Sequence, residues 1–183
     1  AVRSSAPGED GGQTSFAGLH ESLVNVSGRE ELLSSIRKVW ASLFSDAALL
    51  YRQELGLEVE KSSMAVLIQE IVPGQSSGVV FTRSPEDESA LAVEAVHGLN
   101  KGLVDGVVEP DRWTLDRETG EVRTSRVPER TVWVVPTETG TARENLDPDL
   151  QSRPPLNIDQ LKTVTRTALE AEELFGSPQD MEW

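Results

Sequence analysis

Between residues 65 and 135 the chain is a succession of short apolar, β-branched runs separated by turn chemistry, which commits this stretch to strands. Ala65 to Val72, Gly78 to Thr82 and Ala90 to Val96 are separated by PGQSS and RSPEDES. Arg112 to Asp116 and Glu121 to Thr124 flank RETG, a turn ending in Gly120, and predict a hairpin; Thr131 to Val135 adds a further strand.

Helical periodicity frames these runs on both sides. Ser27 and Glu30 have capping-box spacing, and Leu32, Leu33, Ile36, Val39, Trp40 and Leu43 then recur at helical intervals. Ser45 or Asp46 can cap a second helix through Ala48, Leu49 and Tyr51, with Gly56 where helices end. Asn157 and Gln160 form another capping box, followed by Leu161, Val164, Ala168, Ala171 and Leu174 up to Gly176. Pro136 to Pro155 is polar and without period, a surface excursion; Gln179 to Trp183 reads as a short last strand. Hairpin-linked strands with packed helices predict an α+β fold with a mixed or antiparallel sheet, in one domain or two lobes.

The balance of charge narrows the partners. With 17 Lys and Arg against 31 Asp and Glu, the net charge of -14 repels a phosphate backbone, so no nucleic-acid partner is expected. Bound ATP is compatible with that charge, because Mg²⁺ held by carboxylates offsets the phosphates. The absence of cysteine excludes disulfides, thiolate metal sites and cysteine nucleophiles. No apolar stretch approaches the ~20 residues of a membrane span, and the opening AVRSSAPGED lacks the build of a signal peptide. A cytoplasmic protein with no membrane partner is expected.

Two segments could carry chemistry. Residues 1 to 18 read as a long loop holding Arg3, Ser4, Ser5, Glu9, Asp10, Ser15 and Gly18. Glycine lets backbone N–H groups approach phosphate, hydroxyls donate, and arginine pairs with phosphate oxygens. By composition alone, such a terminus is more often a flexible end. In the last strand, alternation points Asp180 and Glu182 the same way, an arrangement suited to Mg²⁺ bridging phosphates; on spacing alone a solvated acidic edge is the favoured reading. His20 and His97 lack ligand or triad company and read as structural or surface residues. Trp40, Trp113, Trp133 and Trp183 fall at apolar positions and read as packing residues.

Taken together and in order, VRSSAPGEDGGQTSFAG (2–18), ESLVNVSG (21–28), VWASLFSDAALLYR (39–52), MAVLIQEIV (64–72), SGVVFTRSP (77–85) and PQDMEW (178–183) resemble the phosphoenolpyruvate synthase and pyruvate, phosphate dikinase family. The resemblance covers essentially the whole chain and points to that family's ATP-grasp nucleotide-binding domain. It implies that Arg3 contacts the triphosphate, that Gly18 and Ser22 line the phosphate loop, and that Gln69 and Ile71 lie along adenine. It further implies that Glu182, aided by Asp180, holds magnesium. In such enzymes Mg-ATP phosphorylates a histidine on a mobile domain, and a separate domain presents pyruvate or a related acceptor.

The implied layout of residues 1–183 is a partial ATP-grasp domain: phosphate loop 1–22, helical pair 27–56, sheet 64–135, final helix 157–175 and metal-site strand 179–183. The resemblance places an upstream phosphate-binding lysine, a QSRP motif after the DxEW strand, the phosphohistidine and the acceptor site outside this segment. Gln151 to Pro154 spell QSRP, but precede Asp180 and are read as coincidence. Three departures stand out: GLNK at Gly98 to Lys101 where the family commonly has GLGE, Leu19 where Gln is usual, and Ser22 where Thr is usual. They keep open a second reading, a nucleotide-sensing or domain-docking module without catalysis. An acidic protein-interaction domain would suit the composition but not the linked motifs.

Overall fold

In the computed structural model, which describes residues 1–7, 10, 11, 14, 15, 18–72 and 74–183, the opening segment begins with a strand where its Gly and Ser content predicts a loop. Strand β1 (Val2–Ser5) is followed by the short antiparallel pair β2 (Asp10–Gly11) and β3 (Thr14–Ser15), then by β4 (Ser22–Leu23). The strand forms because Val2 is fully buried while Arg3 and Ser5 face out, a period-2 alternation too brief to stand out in a polar stretch. β1 is the central strand of an antiparallel sheet, β4-β1-β5, whose third member is β5 (Ala65–Ile68).

Helix α1 (Arg29–Ser42) packs on this sheet, and α2 (Asp46–Glu54) follows it. The N-cap of α1 is Gly28, with no side-chain cap, so the expected Ser27 box does not form. Ser45 caps α2 as expected, its side chain accepting from Ala48 N–H. Ser35, Val39, Ser42 and Leu43 form the buried stripe. Successive helical residues lie about 100° apart, so with Val39 turned inward Trp40 is left 53% exposed, which corrects its reading as a packing residue. Asn25, at φ 58, donates through Nδ2 to Thr137 O and Gly140 O at 2.6 and 2.8 Å, which holds residues 136–141 in this first unit.

The second compact unit comprises residues 73–135 and 142–183. Its elements are β6 (Ser76–Phe81), β7 (Ala90–His97), α3 (Lys101–Val104), β8 (Asp111–Asp116), β9 (Val122–Arg126), β10 (Val132–Pro136), β11 (Thr141–Asn145), α4 (Pro148–Gln151), α5 (Ile158–Phe175) and β12 (Asp180–Glu182). Five strands pair antiparallel in the order β12-β6-β7-β8-β9. The core joins Val80, Leu91, Val93, Ala95 and Leu115 of the sheet to Leu156, Leu161 and Ala168, the last two from the inner face of α5. The Asn157 capping box starts α5 as expected, both reciprocal bonds being present.

Two expectations change here. The runs between 64 and 135 do not share one sheet: β5 pairs with β1, and β10 with β11. A run's apolar content shows that it is a strand, but its partner is set by long-range pairing. The excursion from 136 to 155 contains β11 and α4, with Leu146 only 2% exposed between them; Leu146 and Pro155, its buried residues, lie too far apart to leave a period to read.

At the β6–β12 junction the backbone groups of Gly78 and Trp183 exchange hydrogen bonds, and the indole of Trp183 lies across the glycine. A Cβ on Gly78 would stand 2.2 Å from Glu94 O and 2.5 Å from the Trp183 ring. Gly78→Ala is therefore expected to destabilise the protein by about 3 kcal/mol, read as a lower urea midpoint, with Asn157→Ala costing about 1 kcal/mol for comparison.

Candidate functional site

In the first unit, β1 brings two of the expected groups, Arg3 and Ser22, onto one face with Leu67. Arg3 sits directly opposite Ser22 on β4 and Leu67 on β5, and directly opposed residues project to the same side of a sheet. All three are exposed, Leu67 by 52%. Gln69 follows β5 and continues its pairing, its N–H donating to Ala1 O at 2.9 Å. Gln69 is exposed, Ile71 half-buried and the neighbouring Val72 82% exposed.

Gly18 is exposed at φ 74, a left-handed conformation that glycine adopts without strain. The segment from Gly18 to Ser22 is fixed to α1 by Ser42, whose hydroxyl accepts from Glu21 N–H at 3.0 Å and donates to Val39 O at 2.7 Å. Of the other residues expected in this loop, Ser4 is half-buried and Ser5 exposed on β1. Glu9 and the side chains of Asp10 and Ser15 lie outside the described residues.

In the second unit, β12 presents Asp180 and Glu182 outward on one side while Met181 between them packs against the core. Glu182 Oε2 accepts from Asn100 Nδ2 at 3.1 Å. Lys101, the cation where a carboxylate is usual, is bound to Asp105 one turn along α3, at 2.5 Å. His97 Nε2 meets Arg153 O at 3.0 Å, a structural contact. Gln151 of the QSRP run is held within the fold: its Nε2 donates to Leu146 O, and its O accepts from Arg130.

The strand carrying the two acids is held from behind by a network that sequence reasoning missed. Thr82, fully buried at the end of β6, accepts from Gln179 N–H through Oγ1 at 2.8 Å, and its own N–H donates to Gln179 O at 2.9 Å. Glu172 of α5 receives both Arg117 guanidinium N–H groups, at 3.2 and 2.7 Å. That arginine, and then the Thr82 hydroxyl, hold the Glu172 carboxyl below its ordinary range. Farther along the sheet, Arg123 and the Thr119 backbone N–H hold Asp116 well below the usual carboxylate range. Nothing local in the sequence marks these partners; only the fold joins Arg117 to Glu172, 55 residues apart.

Residues 1–183 match the family described as pyruvate phosphate dikinase, AMP/ATP-binding domain. The chain belongs to this family. Among similar proteins are a probable phosphoenolpyruvate synthase of Methanothermobacter thermautotrophicus, 33% identical over the whole chain, and rifampicin phosphotransferases of Bacillus cereus and a Streptomyces species, at 36% and 37%. The chain spans 27%, 21% and 21% of these proteins, so it corresponds to about a quarter or less of their length. The α+β fold with antiparallel sheets and packed helices accords with this pyruvate phosphate dikinase-type ATP-binding domain.

The donor chemistry at β12 is compatible with a magnesium-bound nucleotide. Among the described residues no cluster of three or more His, Asp or Glu could hold a metal by itself. Magnesium at nucleotide sites is ordinarily held by one or two carboxylates together with the phosphates, and Asp180 with Glu182 offers two on one exposed side. No helix among the described residues is long and apolar enough to cross a membrane.

The Arg117–Glu172 pair, about four-fifths buried on both sides, yields a pH prediction. Arg117→Met should lower stability by about 1 kcal/mol at pH 7. Glu172 has a depressed folded-state pKa, so the pair's contribution is full above the unfolded value of about 4.3 and is lost as pH falls through the folded value. Urea unfolding across pH should show a constant gap between wild type and variant from pH 6 to 8, closing below about pH 4. A gap unchanged in acid would contradict the pairing.

Proposed function

We propose that residues 1–183 are the nucleotide-binding part of a dikinase that uses Mg-ATP to phosphorylate a histidine on another domain of the same polypeptide. From there the phosphoryl group passes to pyruvate or a related acceptor. The observation that carries this reading is the face shared by Arg3, Ser22 and Leu67: a cation, a hydroxyl and an apolar surface on three adjacent strands. Those are the groups a triphosphate and a base require. In the proposed layout the phosphate loop covers residues 1–22, the helical pair 27–56, the strand region 64–135, the final helix 157–175 and the metal-site strand 179–183.

Each residue has a role in this reading. Arg3 pairs with phosphate oxygens and neutralises charge as it develops in the transferring group. Gly18 offers backbone N–H groups and Ser22 a hydroxyl, while Gln69 and Ile71 lie along adenine. Glu182 with Asp180 holds Mg²⁺, which when bound supplies charge neutralisation and alignment of the phosphates. Phosphoryl transfer through a metaphosphate-like state needs in-line geometry and cations rather than covalent participation, which suits a site without cysteine and with no histidine in a catalytic setting. Relatives named phosphoenolpyruvate synthase and rifampicin phosphotransferase leave two acceptor classes within the proposal. The reaction we assign is cytoplasmic.

Lys101 favours the competing reading, a sensing or docking module without turnover, because it replaces a carboxylate with a cation. Its pairing with Asp105, the residue that ends α3, offsets that charge locally and weakens the objection. Calorimetric titration tests the proposal: Arg3→Ala should weaken Mg-ATP binding about tenfold or more, near the ~1.5–3 kcal/mol of a charge-assisted hydrogen bond, and leave adenosine binding within about twofold. Equal loss of both ligands would sink the assignment of Arg3. The longer polypeptide that joins residues 1–183 to the histidine-bearing domain should also acquire acid-labile, base-stable phosphate from labelled ATP, and a polypeptide that binds ATP without acquiring it would support the sensing module.

A further inference from the structure

Asparagine at a helix start ordinarily turns its side chain onto the helix's own free N–H groups. Asn100, the N-cap residue of α3, makes no such bond. Its Nδ2 instead donates to Glu182 Oε2 at 3.1 Å, bridging 82 residues of sequence. The other end of the same amide, Oδ1, is buried with no hydrogen-bond partner among the described residues. Rotating the amide by half a turn would not relieve this, because it would set a carbonyl oxygen against a carboxylate. An unsatisfied buried acceptor is unfavourable for folding, so stability alone does not account for this side chain.

Resting on the reading in which Glu182 holds the metal, we infer that Asn100 is a positioning residue: its amide fixes the orientation of the Glu182 carboxylate for Mg²⁺. A neutral N–H donor suits the task. It occupies one lone-pair direction of Oε2, leaves the remaining acceptor sites of the carboxylate for a cation, and does not cancel the negative charge as an arginine or lysine would. The adjacent Lys101 carries a full positive charge but is held by Asp105. The Asn-Lys pair at positions 100 and 101 is therefore not a damaged motif. Asn100 supplies orientation to a carboxylate on another strand, and the cation beside it is neutralised within its own helix.

The test compares ATP affinity with saturating Mg²⁺ and with chelator for the wild-type protein, Asn100→Ala and Glu182→Ala, together with ligand-free melting temperatures. Asn100→Ala is expected to reduce the Mg²⁺-dependent gain in ATP affinity about tenfold, the low end for partners that orient a metal ligand, since this bond is exposed. Metal-free ATP affinity should be unchanged. The melting temperature should not fall, because the substitution also removes the unsatisfied Oδ1. A full Mg²⁺ gain in Asn100→Ala beside its loss in Glu182→Ala would overturn the inference and leave the nucleotide reading standing. A full gain in Glu182→Ala would overturn both. A lower melting temperature with equal weakening of metal-free ATP would reduce Asn100 to a structural residue and overturn the inference.

Discussion

The pairing of β12 onto β6 is the constraint on which the acidic part of the site depends. It joins backbone 97 residues apart at Gln179 and Thr82, and it is a short edge pairing of three registered residues. So few ladder bonds do not hold a strand in water by themselves. Buried groups on both sides supply the rest: Thr82 grips Gln179 from below, Met181 reaches the core, and the Trp183 indole covers Gly78. With these fixed, the strand's alternation leaves Asp180 and Glu182 only one direction to face. A short, acid-bearing edge also resists pairing with a second chain, so the feature that would serve a metal also protects the sheet.

Charge in this protein is organised locally rather than by its net value of -14. Arg117, Arg123 and Arg130 each bind acids of the second unit, and the Arg130–Asp111 pair is nearly buried. These arginines maintain the sheet and α5. Arg3 stands instead on an exposed sheet face beside a hydroxyl and an apolar residue. An acidic chain can accept a triphosphate when its cations are arranged in this way, because the interaction of phosphate with its immediate partners outweighs screened charges at a distance.

Local signals in the sequence carried the elements well. The Asn157–Gln160 box and the Ser45 cap are visible because a cap is a property of neighbouring residues, and the β6 and β7 runs because their apolar content matches burial on both faces. β1 was hidden, since a strand with one fully buried side chain in a Gly- and Ser-rich stretch has no pattern to show. The same holds for β11 and for the division of the runs into separate sheets. At the site, alternation sufficed to align Asp180 with Glu182, and the motif order sufficed for the family. The partners that orient them were illegible: Asn100 meets Glu182, and Thr82 meets Gln179, only through tertiary pairing.

The central claim is that Arg3 and its neighbours on the β4-β1-β5 face bind nucleotide and that the acids of β12 bind magnesium. Hydrogen–deuterium exchange of the protein with and without Mg-ATP measures this most directly. The account predicts added protection in residues 2–5, 18–23, 67–71 and 180–182, the last lost when Mg²⁺ is chelated, with the exposed β9 edge at 122–126 unchanged. Protection confined to other segments, or equal at 180–182 with and without Mg²⁺, would contradict it.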